Sequence, residues 1–240
     1  MSTPRVLAVI PARYGSTRFP GKPLAEINGL PLILHVYRRA ARIRGIDELI
    51  VATDDRRVRA VVEGDGGTAV LTARSHPTGT SRVAEVAAKH RYGGVVNIQG
   101  DEPLLPVRCV ERLIAVMRSD PAIVMGTLAT PESNRHEFMR SDVVKVVCDH
   151  DGNAVYFSRS PVPYSAKGFL RHIGVYAYRR FFLLKYGSLR RGPLERYETL
   201  EQLRAIENGF KIRVVSCRAT SIGVDLPSDV KRVEKRLRSR

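Results

Sequence analysis

Short runs of β-branched and other apolar residues alternate along this chain with amphipathic segments of helical length. Strands that alternate with helices build a mainly parallel sheet with helices on both faces, because right-handed crossovers return each strand to the same direction. The pattern predicts an α/β fold with a doubly wound, mainly parallel sheet that binds its ligands at the carboxyl ends of the strands. The strand candidates are Val6–Ile10, Leu49–Ala52, Ala69–Leu71, Val95–Gln99 and Ile123–Leu128.

One helix is indicated both by its spacing and by its first residue. The segment that opens at Pro31 places Ile33, Val36, Tyr37 and Ala40 at helical spacing. Proline is favoured in a first turn, because the N–H that it lacks has no partner there in any helix. We expect a packed helix with Pro31 in its first turn.

The alternation of predicted strands and helices stops at about residue 130. Three β-rich runs, Val143–Cys148, Ala154–Ser158 and Ile173–Tyr178, follow one another, and the turn-forming segment 149–153 separates the first two. This pattern predicts a small antiparallel β insertion at about 130–178 within a single domain that spans residues 1–240.

In the last part of the chain, predicted helices and strands alternate again. We expect a helix over 194–207, a strand over 211–215 and a final helix that begins at Pro227. Val233 and Leu237 recur at helical spacing, so this last helix should bury one face.

Composition bounds the class of protein. The chain has 240 residues, of which 43% are hydrophobic, enough to bury a sizeable core. No apolar run approaches the ~20 residues of a membrane-spanning helix, and residues 1–10 lack the pattern of a secretory signal. We therefore expect a cytoplasmic protein without a membrane partner.

Cys109, Cys148 and Cys217 lack the paired spacing of a zinc or redox motif, so we expect free thiols.

The formal net charge of +16 is the main argument for a nucleic-acid partner. However, arginine is scattered along the whole chain, tryptophan is absent and aromatic residues make up only 7%, which leaves few platforms for stacking bases. We interpret most of the charge as solvated surface and expect no nucleic-acid partner. A basic nucleic-acid-binding protein, which would bind duplexes in a salt-sensitive way, stays as a distant alternative.

The segment Pro11–Pro23 follows the first strand candidate and is rich in glycine, hydroxyl and cationic residues. Glycines let a backbone approach phosphate oxygens, hydroxyl groups donate hydrogen bonds, and cations neutralise the charge of a departing pyrophosphate. We predict a polyphosphate-binding loop. Its nucleotide-binding residues are Pro11, Ala12, Arg13, Gly15, Ser16, Arg18 and Lys22.

Two familiar phosphate motifs do not fit this loop. A Walker loop has four residues between its glycines and a Ser or Thr after the Lys, whereas five residues separate Gly15 from Gly21 and Pro23 follows Lys22. A dinucleotide-binding pattern needs two close-set glycines at its start, and these are missing. A solvated surface loop remains the plain alternative.

Further motifs follow the loop in order along nearly the whole chain. They comprise residues 11–24, 51–55, 76–80, 97–103, 172–176, 200–204 and 223–229. In this order they resemble the CMP-Kdo synthetase family, the 3-deoxy-manno-octulosonate cytidylyltransferases. The resemblance implies a Rossmann-like nucleotidyltransferase fold, CTP and an acidic, Kdo-like sugar as substrates, and a homodimer in which the β-rich insertion contacts the sugar and the second copy.

Two distant carboxylates match the metal site of this family. Asp101 follows a strand candidate, and Gly100 beside it leaves room for a nucleotide. Asp225 lies shortly before the last helix. Mg²⁺ prefers oxygen donors and usually takes one or two protein carboxylates, so the resemblance implies Mg²⁺ at Asp101 and Asp225. Taken alone, Asp101 is also typical of a turn and Asp225 of a helix start.

The resemblance also implies residues that contact the base and the sugar. Arg74 is expected near the cytosine, and Gln99 near the nucleotide. An acidic sugar needs cations for its carboxylate and other polar groups for its hydroxyls. The implied sugar-binding residues are Gln99, Arg159, His172, Tyr176, Glu201 and Gln202. Without the resemblance, the same residue types are more often packing residues or exposed helix faces.

Two positions depart from the family pattern. Ser81 stands where an acidic residue is usual, and the segment 160–171, which in the family lies near the sugar site and the dimer contact, is shorter here. A cytidylyltransferase for another acidic sugar, such as a sialic acid, is the nearest alternative within the enzyme class. Whether the product feeds a lipopolysaccharide or another glycan is left open.

The expected reaction is a direct nucleotidyl transfer that needs no protein nucleophile. The anomeric hydroxyl of the sugar attacks the α-phosphorus of CTP, and pyrophosphate leaves on the opposite side. The residues expected to be catalytic are Arg13, Arg18, Lys22 and Asp101.

Overall fold

The computed structural model describes residues 4–15, 18–219 and 222–238. The chain divides into two compact units, the first formed by residues 1–111 and 220–240 and the second by residues 112–219. The second unit begins and ends outside the segment 130–178. The prediction of one domain with an insertion stays a prediction.

Strands and helices alternate through most of the described chain. The strands are β1 (Val6–Ala12), β2 (Glu26–Ile27), β3 (Leu30–Pro31), β4 (Glu48–Thr53), β5 (Ala69–Leu71), β6 (Gly94–Asn97), β7 (Met125–Glu132), β8 (Lys145–Cys148), β9 (Ala154–Ser158), β10 (Phe169–Arg179) and β11 (Ile212–Ser216). The α-helices are α1 (Leu32–Ala40), α2 (Arg56–Gly64), α3 (Gly79–Ala88), α4 (Val107–Ser119), α5 (Arg135–Met139), α6 (Arg180–Tyr186), α7 (Pro193–Glu198), α8 (Leu203–Glu207) and α9 (Pro227–Arg238).

The first unit contains the parallel strands β6, β1, β4 and β5 in that spatial order. Val9 of β1 lies beside Ile50 of β4 on one side and Asn97 of β6 on the other. Residues 7–10 are fully buried, as expected for a parallel strand that is covered on both faces. The carboxyl ends of these strands meet at one edge, and the loops that follow them carry the site described below.

Helix N-termini at this edge are fixed by side-chain caps. Asp55 accepts a hydrogen bond from Arg57 N at 2.8 Å, which starts α2. Thr78 and Ser81 form a reciprocal capping box at the start of α3, in which Thr78 Oγ1 accepts from Ser81 N at 3.2 Å. Ser81, which departs from the family pattern, therefore serves as a local helix cap here.

The second unit contains parallel and antiparallel pairs. Strand β11 pairs with β7 in parallel, whereas β10 runs antiparallel to β7 and β8, and β8 runs antiparallel to β9. The register of β10 against β7 shifts between Ile173 and Tyr176. These pairings, together with the parallel strands of the first unit, confirm the predicted α/β class and its antiparallel strands.

Several predicted elements are wrong in detail. The single helix over 194–207 is two helices, α7 and α8, because Thr199 adopts a left-handed backbone conformation with φ of 51°. Pro31 precedes α1 as its N-cap instead of lying in its first turn. The predicted strand at Val95–Gln99 ends at Asn97, which leaves Gln99 in a loop.

The cysteines depart from the expectation of three free thiols. Cys148 is free, but Cys109 and Cys217 are disulfide-bonded. Neither residue lies in a spacing pattern that indicates a disulfide. Separately, none of the helices within 4–15, 18–219 and 222–238 is both long enough and apolar enough to span a membrane.

Candidate active site

Lys22 lies between the two carboxylates that the sequence predicts as metal ligands. Its ammonium Nζ is 2.6 Å from Asp101 Oδ2 and 3.6 Å from Asp225 Oδ1, and it donates to the carbonyl of Val224 at 3.0 Å. Arg18 Nη2 adds a second cation 3.2 Å from the same Asp225 oxygen. Two carboxylates that are far apart in the sequence thus meet around one ammonium group.

The loops that carry these carboxylates are joined through their backbones. Val224 N donates to the carbonyl of Asp101 at 2.9 Å. At the start of α9, Asp229 Oδ2 accepts from the backbone N–H groups of Asp225 and Leu226, each at 2.9 Å. Asp229 thus holds the two residues that precede α9, and the carboxylate of Asp225 contacts Lys22 and Arg18.

Gly100 allows a close approach of this loop to the end of β1. A Cβ atom at Gly100 would lie 2.8 Å from the carbonyl oxygen of Pro11. Because real side-chain carbons do not approach backbone oxygens so closely, any other residue would push the loop of Asp101 away from the phosphate loop. The glycine therefore helps to place Asp101 beside Lys22.

These residues surround a cleft of about 250 Å³ in the first unit. Most of the predicted nucleotide and metal residues line it. They are Pro11, Ala12, Arg13, Arg18, Lys22, Gln99, Gly100, Asp101 and Asp225.

A second wall of the cleft comes from residues to which the sequence assigned no role. They are His76, Pro77, Thr78, Gly79 and Arg82. A Cβ at Gly79 would lie 3.3 Å from Pro11 Cγ, so the start of α3 packs directly against the phosphate loop. The structure shows that Thr78 caps this helix, and no spacing in the sequence indicates that the helix start faces the cleft.

Glu85 orders the loop before α3. Its carboxylate accepts from Ala73 N at 3.0 Å and lies 2.6 Å from His76 Nε2 and 2.8 Å from Lys89 Nζ. The hydrogen bond from Lys89, followed by those from His76 and Ala73, lowers the pKa of Glu85 to about 2. The loop that carries the exposed Arg74 is thus tied to α3 by an ionised carboxylate.

Three predicted nucleotide residues are not placed in the cleft. Arg74 and Gly15 are exposed and do not line it, and Ser16 lies outside the described residues. Their contacts with a nucleotide stay predictions.

The donor set of Asp101 and Asp225 fits a hard divalent cation. Both offer carboxylate oxygens, and both already lie around one positive charge, the ammonium of Lys22. Within the described part of the chain, no group of three or more His, Cys, Asp or Glu residues forms a metal cluster. Two carboxylates nevertheless suffice for Mg²⁺, which completes its shell with water and substrate phosphate oxygens.

In the second unit, His172 and Tyr176 of β10 belong to a series of packed rings. The His172 ring lies 5.1 Å from that of Phe157 and 5.5 Å from that of Tyr176, and Tyr176 stacks on Tyr178 at 6.0 Å. Removal from water lowers the pKa of His172 to about 3 and raises the pKa of Tyr176. Both side chains are therefore neutral near pH 7.

A hydrogen bond fixes the tautomer of His172. The Thr127 hydroxyl donates to the carbonyl of Val175 at 2.8 Å and lies 2.9 Å from His172 Nε2. Because the hydroxyl proton is already used, Thr127 accepts from His172, which places the ring proton on Nε2. The other ring nitrogen, Nδ1, is then an acceptor.

Arg159 is anchored by backbone groups on two sides. Its Nε donates to the carbonyl of Glu198 at 2.8 Å and its Nη1 to the carbonyl of Ser141 at 3.1 Å. Lys145 is fully buried, and its Nζ donates to the carbonyl of Arg159 at 2.6 Å. Burial lowers the pKa of Lys145. The segment that carries Arg159 is thus held in one conformation.

Glu201 and Gln202 lie just before α8. The carbonyl of Glu201 accepts from Tyr186 Oη at 2.7 Å. Gln202 is buried, with its side-chain Nε2 lacking a hydrogen-bond partner in the described structure. A buried amide donor without a partner is costly unless a ligand or water satisfies it.

A parallel sheet that presents a cationic loop and a pair of carboxylates at one edge defines a nucleotidyltransferase type of site. The family model described as Cytidylyltransferase matches residues 7–212. The chain therefore belongs to the cytidylyltransferase family.

Two relatives of high identity narrow this class. The chain is 50% identical to a 3-deoxy-manno-octulosonate cytidylyltransferase of Syntrophotalea carbinolica, over 97% of this chain and 98% of that one. It is 47% identical to a protein of the same name from Geobacter metallireducens, again over 97% and 98% of the two chains.

Solved structures agree with these relatives. The structure of a CMP:2-keto-3-deoxy-manno-octonic acid synthetase complexed with CTP matches with a TM-score of 0.94 and 43% identity, over 98% of this chain and 99% of that one. A 4-diphosphocytidyl-2C-methyl-D-erythritol synthase of Anaerococcus prevotii matches with a TM-score of 0.65 and 15% identity, over 98% and 96% of the chains. At that identity it shares the fold alone.

Proposed function

We propose that this protein transfers CMP from CTP to the anomeric hydroxyl of 3-deoxy-D-manno-octulosonate (Kdo), giving the CMP-sugar and pyrophosphate. The observation that carries the proposal is the position of Lys22, which contacts both Asp101 and Asp225 at the edge of a parallel sheet. The relatives that bear this activity in their names match nearly the whole chain at up to 50% identity.

The cationic side chains of the cleft have the charge that the triphosphate requires. Arg13, Arg18 and Lys22 line it together, and each can donate hydrogen bonds to phosphate oxygens. Negative charge grows on the pyrophosphate as the bond to the α-phosphorus breaks. Fixed cations stabilise this charge more than that of the ground state, which lowers the barrier.

The two carboxylates hold Mg²⁺ in this proposal. It also includes a homodimer, which the family resemblance implies, and a cytoplasmic location, which the composition predicts. Bound between Asp101 and Asp225, the ion would supply Lewis-acid neutralisation of phosphate charge. Lys22 sits between the same carboxylates, and its ammonium can donate hydrogen bonds to phosphate oxygens. The chain's own task is to position the reactants and balance their charge.

The neutral groups of the second unit are assigned to the sugar hydroxyls. His172 offers an acceptor at Nδ1, Tyr176 a phenolic hydroxyl and Gln202 an amide donor without a partner in the described structure. Arg159 supplies the cation for the sugar carboxylate. This assignment rests on the family resemblance together with these protonation states.

The proposal is tested by pyrophosphate release from CTP with a panel of acids that comprises Kdo, a sialic acid and a sugar-free control, each with and without Mg²⁺. We expect release with Kdo, at a rate at least about tenfold above that with sialic acid, a difference of about 1.4 kcal/mol in transition-state binding. Faster turnover of sialic acid than of Kdo would show that sialic acid is the preferred acceptor. Absence of release with every acid would refute the proposed function.

A further inference from the structure

We propose that Tyr14 is a positioning residue that clasps both ends of the phosphate loop and thereby sets the positions of its cations. This inference rests on the proposed function for its substrate. It concerns a residue that does not itself line the cleft and to which the sequence assigned no role.

The first half of the clasp ties the beginning of the loop to the end of β4. Tyr14 N donates to Asp54 Oδ1 at 3.2 Å, and the other oxygen of Asp54 accepts from Arg82 Nη2 at 3.0 Å. The Arg82 side chain is only 3% exposed and also donates to Thr72 Oγ1. A buried guanidinium with a second hydrogen-bond partner therefore fixes Asp54, and Asp54 fixes the backbone of Tyr14.

The second half ties the beginning of the loop to its end. Gly21 N donates to the carbonyl of Tyr14 at 3.1 Å, seven residues along the chain. Gly21 has a φ of 73°, and a Cβ there would lie 3.1 Å from Tyr14 Oη. Only glycine combines this left-handed backbone with so close a ring. Lys22 is the next residue, so the contact between the Tyr14 ring and Gly21 fixes the backbone from which the Lys22 side chain projects.

The exposed side of the ring is covered by a cation. The guanidinium carbon of Arg57 lies 3.8 Å from the centre of the Tyr14 ring. Arg57 is held there by Asp55, which accepts from Nε at 3.0 Å and from Nη2 at 2.7 Å. The ring is thus enclosed between Arg57 of α2 and Gly21 of the loop.

The clasp explains how an irregular loop can present charges at fixed positions. Residues 13–21 form neither helix nor strand where they are described. Lys22 follows them as the first residue of a short 3-10 helix (Lys22–Leu24), and its Nζ makes contacts of 2.6 and 3.0 Å. Transition-state stabilisation depends on such fixed geometry, and a misplacement of about 1 Å can cost about 100-fold in rate. Loosening the clasp should therefore impair the use of CTP more than it impairs folding.

The test compares Tyr14→Ala with Tyr14→Phe, which keeps the ring. Tyr92→Ala is a matched control, because Arg5 stacks on Tyr92 at 4.7 Å in the same unit, outside the cleft. We expect Tyr14→Ala to lower kcat/KM for CTP about 10- to 100-fold while the KM for the acidic sugar changes less than about twofold. Tyr14→Phe should restore kcat/KM to within about threefold of the unsubstituted protein. The melting temperature should fall no more in Tyr14→Ala than in Tyr92→Ala.

A second variant avoids any packing defect. Arg57 is 61% exposed, so Arg57→Gln removes the stacked cation without opening a cavity. We expect a loss of about three- to tenfold in kcat/KM for CTP, of which Arg57→Lys recovers part. Unchanged CTP kinetics in Tyr14→Ala would overturn the inference. So would equal losses for both substrates that track a lower melting temperature.

Direct binding separates this inference from the proposed function. Calorimetry with CTP alone needs no sugar and no turnover. If the unsubstituted protein binds CTP but turns over no ulosonic acid, the proposed function fails while the clasp is still tested. Weaker CTP binding by Tyr14→Ala than by Tyr92→Ala supports the clasp, and equal dissociation constants overturn it.

Discussion

The cleft of the first unit and the ring cluster of the second unit use opposite electrostatics. In the cleft, acidic and basic side chains meet near solvent: the side chain of Lys22 is 16% exposed, that of Asp101 31% and that of Asp225 53%. In the ring cluster, removal from water lowers the pKa of His172 and raises that of Tyr176, so both side chains stay neutral over a wider pH range. One region of the chain thus gathers acidic and basic groups, and the other gathers neutral ones.

This difference matches the two kinds of ligand in the proposed reaction. A triphosphate carries several negative charges, and hydrated ionic groups can bind it without a large desolvation cost. Sugar hydroxyls carry no charge and are distinguished by the directions of donors and acceptors. Neutral, packed side chains with fixed tautomers suit that task. The comparison therefore predicts that charge changes act on the phosphate side and pH changes on the ring cluster.

The largest effect is expected from Lys22→Ala. This change removes the cation between Asp101 and Asp225, so we expect kcat to fall by about 100-fold or more, the scale seen when a single preorganised donor is lost. Arg59→Ala is a matched control, because it removes a cation that pairs with Glu63 on α2 at 2.7 Å. Initial rates of pyrophosphate release at saturating substrates measure the effect.

Melting curves of the same variants show whether the loss is chemical. The Lys22→Ala protein should stay folded at the assay temperature. If it retained the turnover of the Arg59→Ala protein, the phosphate side would not depend on this charge and the contrast between the two regions would break.

The smallest expected effect is on the pH dependence of stability. It tests the ring cluster, whereas Lys22→Ala tests the cleft. In the folded protein His172 stays neutral down to about pH 3, whereas an unfolded chain protonates it below about 6.5. The unfolded state thus binds more protons between these values, so the free energy of unfolding decreases as the pH falls from 6.5 toward 3. We expect a slope from this group of about 1 kcal/mol per pH unit or less.

Urea unfolding at pH 7, 6 and 5 measures this slope. His172→Gln keeps a polar side chain beside Thr127 and removes the titrating group, so its free energy of unfolding should decrease less steeply than that of the unsubstituted protein. Equal slopes in the two proteins would show that His172 is solvated enough to titrate normally, and the ring cluster would then resemble the cleft.

Much of the first unit follows from the sequence. The buried run at the start of the chain predicted β1, and the glycines and cations after it predicted the loop that lines the cleft. Asp101 and Lys22 were placed correctly at one edge because the carboxyl ends of parallel strands converge there. Asp225 depended on the family resemblance, since a carboxylate before a helix is equally typical of a cap.

Other features needed coordinates because they depend on contacts between distant segments. Thr199 breaks the predicted helix over 194–207 with a positive φ that its residue type does not announce. The side chain of Arg82 is buried in the cleft wall through its bond to Asp54, whereas charged residues usually signal surface. The neutral state of His172 follows from the rings around it, and no sequence spacing encodes that burial.

A double-mutant cycle on Asp101→Asn and Asp225→Asn tests the central claim most directly, because that claim requires the two carboxylates to act at one triphosphate and one cation. kcat/KM for CTP would be measured for the unsubstituted protein, both single variants and the double variant at a fixed Mg²⁺ concentration. The account predicts that the double variant is scarcely worse than the poorer single variant, with a coupling of about 1–3 kcal/mol. Losses that simply add would contradict it, because the two aspartates would then act at separate places.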